Sequence, residues 1–460
     1  MEYTIGQIAQ AVSGTVHFAD HGTIVKGVST DTRTLQPREL FVALKGETDG
    51  HAYVGDAKGK KAGALLVESS YPLQSYPTIA VADTLVALQE LGKYHRKTFE
   101  VPVAAITGSN GKTTTKDMLA GILTQKGPVA KTPGNFNNEI GLPLTLLSID
   151  KQHSAVVVEM GMRGLGQISH LADLAKPQVG IVTNVYPVHL ELLGTIERIA
   201  QAKSELIASL PPGGTAVLNG DDPLVCAMGK PHQGPVITFG MQPSCTLWAE
   251  GYHNLDGRAA FTLHLPEASL DIILPVPGLH NVYNALAAAA GALAFEVSPE
   301  QIKEGLERFA PSGMRSHIEK MGPITVINDA YNASPASMDF ALRMLKEQGT
   351  AGRRVAVLGD MLELGPISEK AHREVGKKAT QVPVDLLVTV GELGALIAQG
   401  ARGAGLTGSK VRHYLNGQKV AEEITTLLEP GDLVLIKASR GMELERVVDG
   451  IAERWGEGQC

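Results

Sequence analysis

Short apolar runs alternate with helix-period segments along most of the chain, and this alternation predicts a layered α/β protein. Near the start, Ile5, Ile8, Ala9 and Val12 recur at helical spacing, and Gly14 stops that helix. Short β-like runs follow at Ile24–Val28, Leu40–Ala43, Ala64–Val67 and Thr78–Val81. Asp83 to Glu100 reads as a helix. Apolar runs at Val101–Ile106, Ser154–Met160, Val179–Thr183 and Thr215–Asn219 read as buried parallel strands, separated by helical stretches such as Thr195–Leu210. The pattern then changes. Cys245–Glu250, Ala259–Leu265 and Leu270–Leu274 suit an antiparallel patch, Pro275-Val-Pro-Gly278 breaks the chain, and an alanine-rich helix opens at Leu279. From about residue 313 the α/β alternation resumes, with strands at Ile324–Asn328, Arg354–Leu358, Leu386–Val390 and Leu433–Ile436. Three blocks are therefore expected: a small α/β unit over 1–83, a central parallel-sheet unit with an antiparallel patch over 84–312, and a Rossmann-like unit over 313–460.

The sharpest chemical signal is VPVAAITGSNGKTTTKD at 101–117. It predicts a strand, a glycine-bearing turn and a helix whose first turn carries Lys112, Thr113 and Thr114. Gly108 and Gly111 permit close backbone approach, and with Ser109 and Asn110 they turn N–H groups toward an anion at a helix N-terminus. Lys112 suits nucleotide phosphates and the Thr113 hydroxyl suits Mg²⁺. The loop is a variant, since Ile106 stands where the usual phosphate loop has its first glycine. Other polar groups end the apolar runs. Glu159 closes one strand, where an acidic metal ligand would face the loop. His189 follows another, and Lys203 lies on an amphipathic helix, where an unpaired lysine ordinarily snorkels. Asn135, Asn137 and Asn138 are dense enough to bind a polar substrate or to build turns. In the last block, Asp329-Ala-Tyr331-Asn332, Gly359-Asp360-Met361 and Lys437-Ala-Ser439-Arg440 fall at strand ends. Ser29-Thr30-Asp31-Thr32-Arg33 is a hydroxyl-rich turn that could bind phosphate or a sugar, though by itself such a turn is more often a helix cap or solvated loop.

Composition narrows the classes. The chain has 460 residues, ample for several cores, and a formal charge of −7 gives no basic footprint for nucleic acid. Three cysteines, Cys226, Cys245 and Cys460, lack metal-ligand spacing. The N-terminal residues have no basic n-region or apolar h-region, and Ala285–Phe295 is too short to span a bilayer. A cytoplasmic monomer without a membrane span is the expectation.

Taken together, TGSNGKTT at 107–114, the strand-end Glu159, NVYPVHLELLG at 184–194, AKSE at 202–205 and GLHNVYNALAA at 278–288 resemble the Mur ligase family over nearly the whole chain. INDAYNASP at 327–335 and VLGDMLELG at 357–365 resemble the branch that adds D-alanyl-D-alanine to UDP-N-acetylmuramoyl-tripeptide. The resemblance implies an ATP-dependent peptide ligase of peptidoglycan precursor synthesis, working through an acyl phosphate. It implies phosphate contacts from the loop and Lys112, and two Mg²⁺ ions held by Thr113, Glu159 and His189. It also implies a carbamylated Lys203 at the metal site. Asn281, Arg315, Asp329 and Tyr331 would contact the nucleotide. Asn138, Ser29, Asp31 and Arg33 would contact the UDP-sugar peptide, and Asn332, Ser439 and Arg440 would face the substrates. Other amide ligases of the family, a folylpolyglutamate-type ligase and a phosphate-loop kinase remain alternatives.

Overall fold

The computed structural model describes residues 1–311 and 313–456, so Cys460 lies outside the described residues. Among these residues the strands form a two-stranded ribbon and sheets of five, nine and six strands, and the fold is three-domain α/β. The first sheet runs Thr15–His17, Thr78–Val81, Ala64–Glu68, Leu40–Val42 and Val28–Ser29, parallel except where Thr15–His17 pairs antiparallel with Thr78–Val81. The helix Thr84–Lys97, capped by the Asp83 carboxylate, contributes Ala87, Leu88 and Leu91 to this first lobe's core, together with Leu147 of the central block. The core of the first lobe thus extends past residue 83. Arg96 of the same helix is buried, and its guanidinium donates to the carbonyls of Phe99, Val101 and Ala175.

The central sheet begins at the edge with Ser269–Leu274, then Arg258–His264 and Leu247–Leu255, an antiparallel run. It continues in parallel through Val236–Gly240, Thr215–Asn219, Val179–Val182, Val103–Thr107, Ala155–Glu159 and Val129–Lys131. The antiparallel patch is therefore not separate. Val236–Gly240, a strand absent from the sequence expectation, pairs in parallel with Leu247–Leu255 and joins the two. Sheet order reverses around Val103–Thr107, whose neighbours are Ala155–Glu159 on one side and Val179–Val182 on the other. A crevice opens at such a reversal beyond the strand C-termini. One face of the sheet is covered by Lys112–Leu123 and the alanine-rich helix Leu279–Leu293, the other by Gln167–Ala175 and Ile196–Ala208. Small residues let this layer pack closely: a Cβ on Gly291 would stand 2.7 Å from Ile181 Cδ1 of the sheet and 3.1 Å from Leu119 Cδ2 of the neighbouring helix.

The third sheet runs His317–Met321, Ile324–Asn328, Leu433–Lys437, Arg354–Gly359, Leu386–Val390 and Val411–Tyr414, parallel except for its first strand. Helices cover both faces, with separate apolar cores on each. Away from the crevice, this lobe meets the central one where Tyr252 Oη donates to Glu347 at 2.6 Å. No helix among the described residues is long and apolar enough to cross a membrane. Cys226 and Cys245 are free thiols.

Candidate active site

A cavity of about 1470 Å³ opens between the central and C-terminal lobes, and the phosphate-loop segment forms part of its wall. Parallel register explains the convergence. Glu159 is level with Ile106, and Val182 with Thr107, so the turns after all three strands emerge together. Gly108 and Gly111 have φ of +153° and +83°, and a Cβ on either would strike Thr183 Oγ1 or Asn284 Oδ1, at 1.9 and 2.2 Å. Glycine is required at both. Contrary to the sequence expectation, the N–H groups of Ser109 and Asn110 are not turned toward an anion: Ser109 N donates to Asn184 O at 3.0 Å and Asn110 N to Asn184 Oδ1 at 2.9 Å, because the turn after Val179–Val182 packs against the loop. Lys112 Nζ folds back to donate to Gly108 O at 2.9 Å. Thr114, the third residue of the helix Lys112–Leu123, also lines the cavity.

Thr113 Oγ1 donates to the buried Glu159 Oε2 at 2.5 Å. The other oxygen of Glu159 accepts from Asn137 Nδ2 at 2.7 Å. Sequence reasoning chose the neighbour, Asn138, whose side-chain oxygen instead accepts from Gly141 N at 2.9 Å while the residue lines the cavity. Lys203 is not a snorkelling surface cation. It is 2 % exposed, and burial together with Lys112 holds its pKa well below the ordinary lysine value. Among the described residues its amine has no hydrogen-bonding or ion-pairing partner. Burial also lowers the pKa of His189, opposed by Glu363 and reinforced by Lys112 and Lys203. Lys112 is itself shifted down by burial, with Glu159 opposing. Lys112, His189 and Lys203 thus line the same crevice as the buried Glu159 carboxylate. No cluster of three or more His, Cys, Asp or Glu able to hold a metal occurs among the described residues.

Asn281 and Asn284 stand at the start of the alanine-rich helix, linked by a 3.2 Å hydrogen bond, and Asn281 Nδ2 donates to Pro277 O. The C-terminal lobe faces them. Arg315 stacks 3.8 Å over the Tyr331 ring. Asp329 accepts from Ser316 N at 3.0 Å and from Lys437 Nζ at 2.7 Å, while Lys437 also donates to Asn332 O. In the sequence Lys437 stands only as the first residue of a polar strand-end cluster, with no role of its own. A lysine closing the otherwise apolar run LVLIK was the available signal. Asn332, Ser439 and Arg440 line the same cavity, with Ser439 Oγ accepting from Leu362 N and Arg440 paired to Glu445. His280 stacks on Phe340 at 5.5 Å, and burial lowers its pKa to about 4. Ser29, Asp31 and Arg33 do not line this cavity. They fold onto one another: Ser29 Oγ donates to Asp31 O, and the exposed Arg33 guanidinium clasps the Asp31 carboxylate.

Residues 106–292 match the Mur ligase middle domain and 314–440 the Mur ligase glutamate ligase domain. The chain belongs to the Mur ligase family. Among curated Mur ligases it is 38 % identical to the UDP-N-acetylmuramoyl-tripeptide–D-alanyl-D-alanine ligase of Bacillus subtilis, across 98 % of both chains. It superposes on MurF from Acinetobacter baumannii with a TM-score of 0.89 and 32 % identity, covering 98 % of this chain and 99 % of that one. A MurF ligase from Thermotoga maritima in complex with ADP gives a TM-score of 0.81 at 26 % identity, over 94 % and 98 % of the two chains.

Proposed function

We propose that this Mur ligase joins D-alanyl-D-alanine to UDP-N-acetylmuramoyl-tripeptide, releasing ADP and phosphate. The observation carrying this reading is the crevice itself: a glycine-lysine-threonine turn, Glu159, His189 and Lys203 on one wall, with the Arg315–Tyr331 pair and Asp329 on the other. The full-length relatives named above support the choice of substrates.

A carboxylate is a poor electrophile. In the proposed reaction the tripeptide's terminal carboxylate attacks the γ-phosphorus of ATP, ADP leaves, and the dipeptide amine displaces phosphate from the acyl carbon. Neither step needs a protein nucleophile. Both concentrate negative charge on phosphate oxygens, which Lys112 and the loop N–H groups stabilise. In this reading Asn281, Arg315 and Tyr331 hold the nucleotide base, Asp329 the ribose, and Ser439 and Arg440 the incoming dipeptide. Ser29, Asp31 and Arg33 would meet the UDP end, outside the main crevice, and Asn138 the sugar-peptide.

The donor set fits Mg²⁺, which uses one or two protein groups and fills its octahedron with water and phosphate, so a three-carboxylate cage is not required. Thr113 and Glu159 would hold one ion and His189 a second, and both would neutralise phosphate charge. Lys203 fits carbamylation, because a buried lysine with a depressed pKa presents the neutral amine that CO₂ needs. The product would be an anion among Lys112 and His189. The nucleotide-sugar and ATP substrates favour a cytoplasmic location. An ADP-release assay with one component omitted at a time tests the whole reading. Sustained release over many turnovers should require both the UDP-tripeptide and D-alanyl-D-alanine. Multiple-turnover ADP release without the dipeptide, or preference for another amine, would overturn it in favour of a kinase or another amide ligase.

A further inference from the structure

The loop 359–365 belongs to the C-terminal lobe but reaches the central one. Its base is fixed on every side. The Asp360 carboxylate accepts from Gly394 N at 2.6 Å, Met361 N donates to His372 Nε2 at 2.9 Å, and Leu362 N donates to Ser439 Oγ at 2.8 Å. Ser439 N returns a bond to Asp360 O at 3.0 Å. From this base Glu363 projects across the boundary. One carboxylate oxygen accepts from His189 Nδ1, and the other lies 3.4 Å from the Arg163 guanidinium. Glu363 O also accepts from Glu191 N at 3.4 Å. Both partners in the principal contact are non-glycine residues in the left-handed region, His189 at φ +56° and Glu363 at +61°. Such conformations persist where surroundings over-determine them.

The contact has little value as a stabilising ion pair. The Glu363 side chain is 33 % exposed and that of Arg163 74 %. Its geometric consequence is larger. A carboxylate only accepts, so Nδ1 carries the hydrogen and Nε2 keeps the lone pair a metal needs. We propose that Glu363 is a positioning residue, through which the seated C-terminal lobe orients His189 for metal binding. This rests on the reading of His189 as a metal ligand. Because Ser439 supports the same loop, the dipeptide-facing segment and the metal site are joined by a short chain of hydrogen bonds.

The test is Mn²⁺ binding, followed by electron paramagnetic resonance, to full-length enzyme with ADP present, alongside steady-state kinetics. Glu363→Ala should weaken Mn²⁺ binding by about 10–100-fold and lower kcat, with UDP-tripeptide binding unchanged. Glu363→Gln keeps an oxygen that accepts from Nδ1–H and should recover most of the loss. Three results would overturn the proposal: wild-type Mn²⁺ affinity in Glu363→Ala beside a defective His189→Ala, a Gln variant as weak as the Ala variant, or a parallel loss of UDP-tripeptide binding. Wild-type Mn²⁺ affinity in His189→Ala would instead remove the metal-ligand reading on which the proposal rests.

Discussion

Gly108→Ala tests whether the shape of the phosphate turn, rather than its composition, carries activity. The added Cβ would lie 1.9 Å from Thr183 Oγ1 and 3.1 Å from Thr183 Cβ. An ordinary contact is about 3.5 Å, so relief needs a movement of about 1.5 Å. Thr183 is buried, and its hydroxyl donates to Asn110 O at 2.7 Å. Rotating it away forfeits about 1 kcal/mol. Alanine at φ +153° adds roughly 1–3 kcal/mol of backbone strain. The loop should shift instead, and a displacement of about 1 Å at a reacting group costs on the order of 10²-fold in rate. We expect kcat/KM for ATP, measured by ADP release, to fall by about that factor. Thr183→Ala alone removes one hydrogen bond and should be mild. The double variant Gly108→Ala/Thr183→Ala relieves the worst overlap but not the dihedral strain, and should recover about tenfold. A Gly108→Ala enzyme within about threefold of wild type, or a double variant with no recovery, would refute the steric argument.

Lys112→Ala should reduce kcat by about 10²–10³-fold while leaving UDP-tripeptide binding intact, measured by calorimetry; lost binding would mean the two sites are misplaced. Lys203→Ala should be severely impaired, and wild-type enzyme stripped of CO₂ should regain turnover on adding bicarbonate. Normal turnover in Lys203→Ala would remove carbamylation from the account. His280 is held neutral, with its pKa lowered to about 4 from an unfolded value of about 6.5. The unfolded chain therefore binds more protons between those values. The stability His280 contributes is complete above pH ~6.5 and drains away as pH falls toward 4. Thermal melts of wild type should drop more steeply over that interval than those of His280→Gln; parallel slopes would contradict the burial argument.

Local pattern carried much of the fold. The strand before the phosphate turn, the apolar run ending in Glu159, and the alanine-rich helix are each written in consecutive residues. Four of the six C-terminal strands begin and end within a residue of their expected limits, while the edge strands His317–Met321 and Val411–Tyr414 were not expected. Within the crevice, legibility depended on distance along the chain. Thr113 and Glu159 could be paired because parallel strands bring their C-termini level. The Glu363–His189 contact spans 174 residues and two lobes, and no periodicity encodes how lobes dock. Asn137 and Asn138 look equivalent as letters, and only the turn decides which amide meets Glu159. Arg33 reads as an available cation, yet Asp31 two residues away already occupies its guanidinium.

The helix Thr84–Lys97 has a practical corollary. Its apolar side completes the first lobe, while Arg96 is spent on carbonyls of the central one. A fragment ending at residue 83 would leave Ile8, Leu66 and Ile79 without their covering helix and invite aggregation. A fragment ending after Lys97 would keep that cover but strand the guanidinium in water. The first two lobes are therefore best expressed, crystallised and titrated as one piece, and reorientation among the three bodies is expected at the seams of the third.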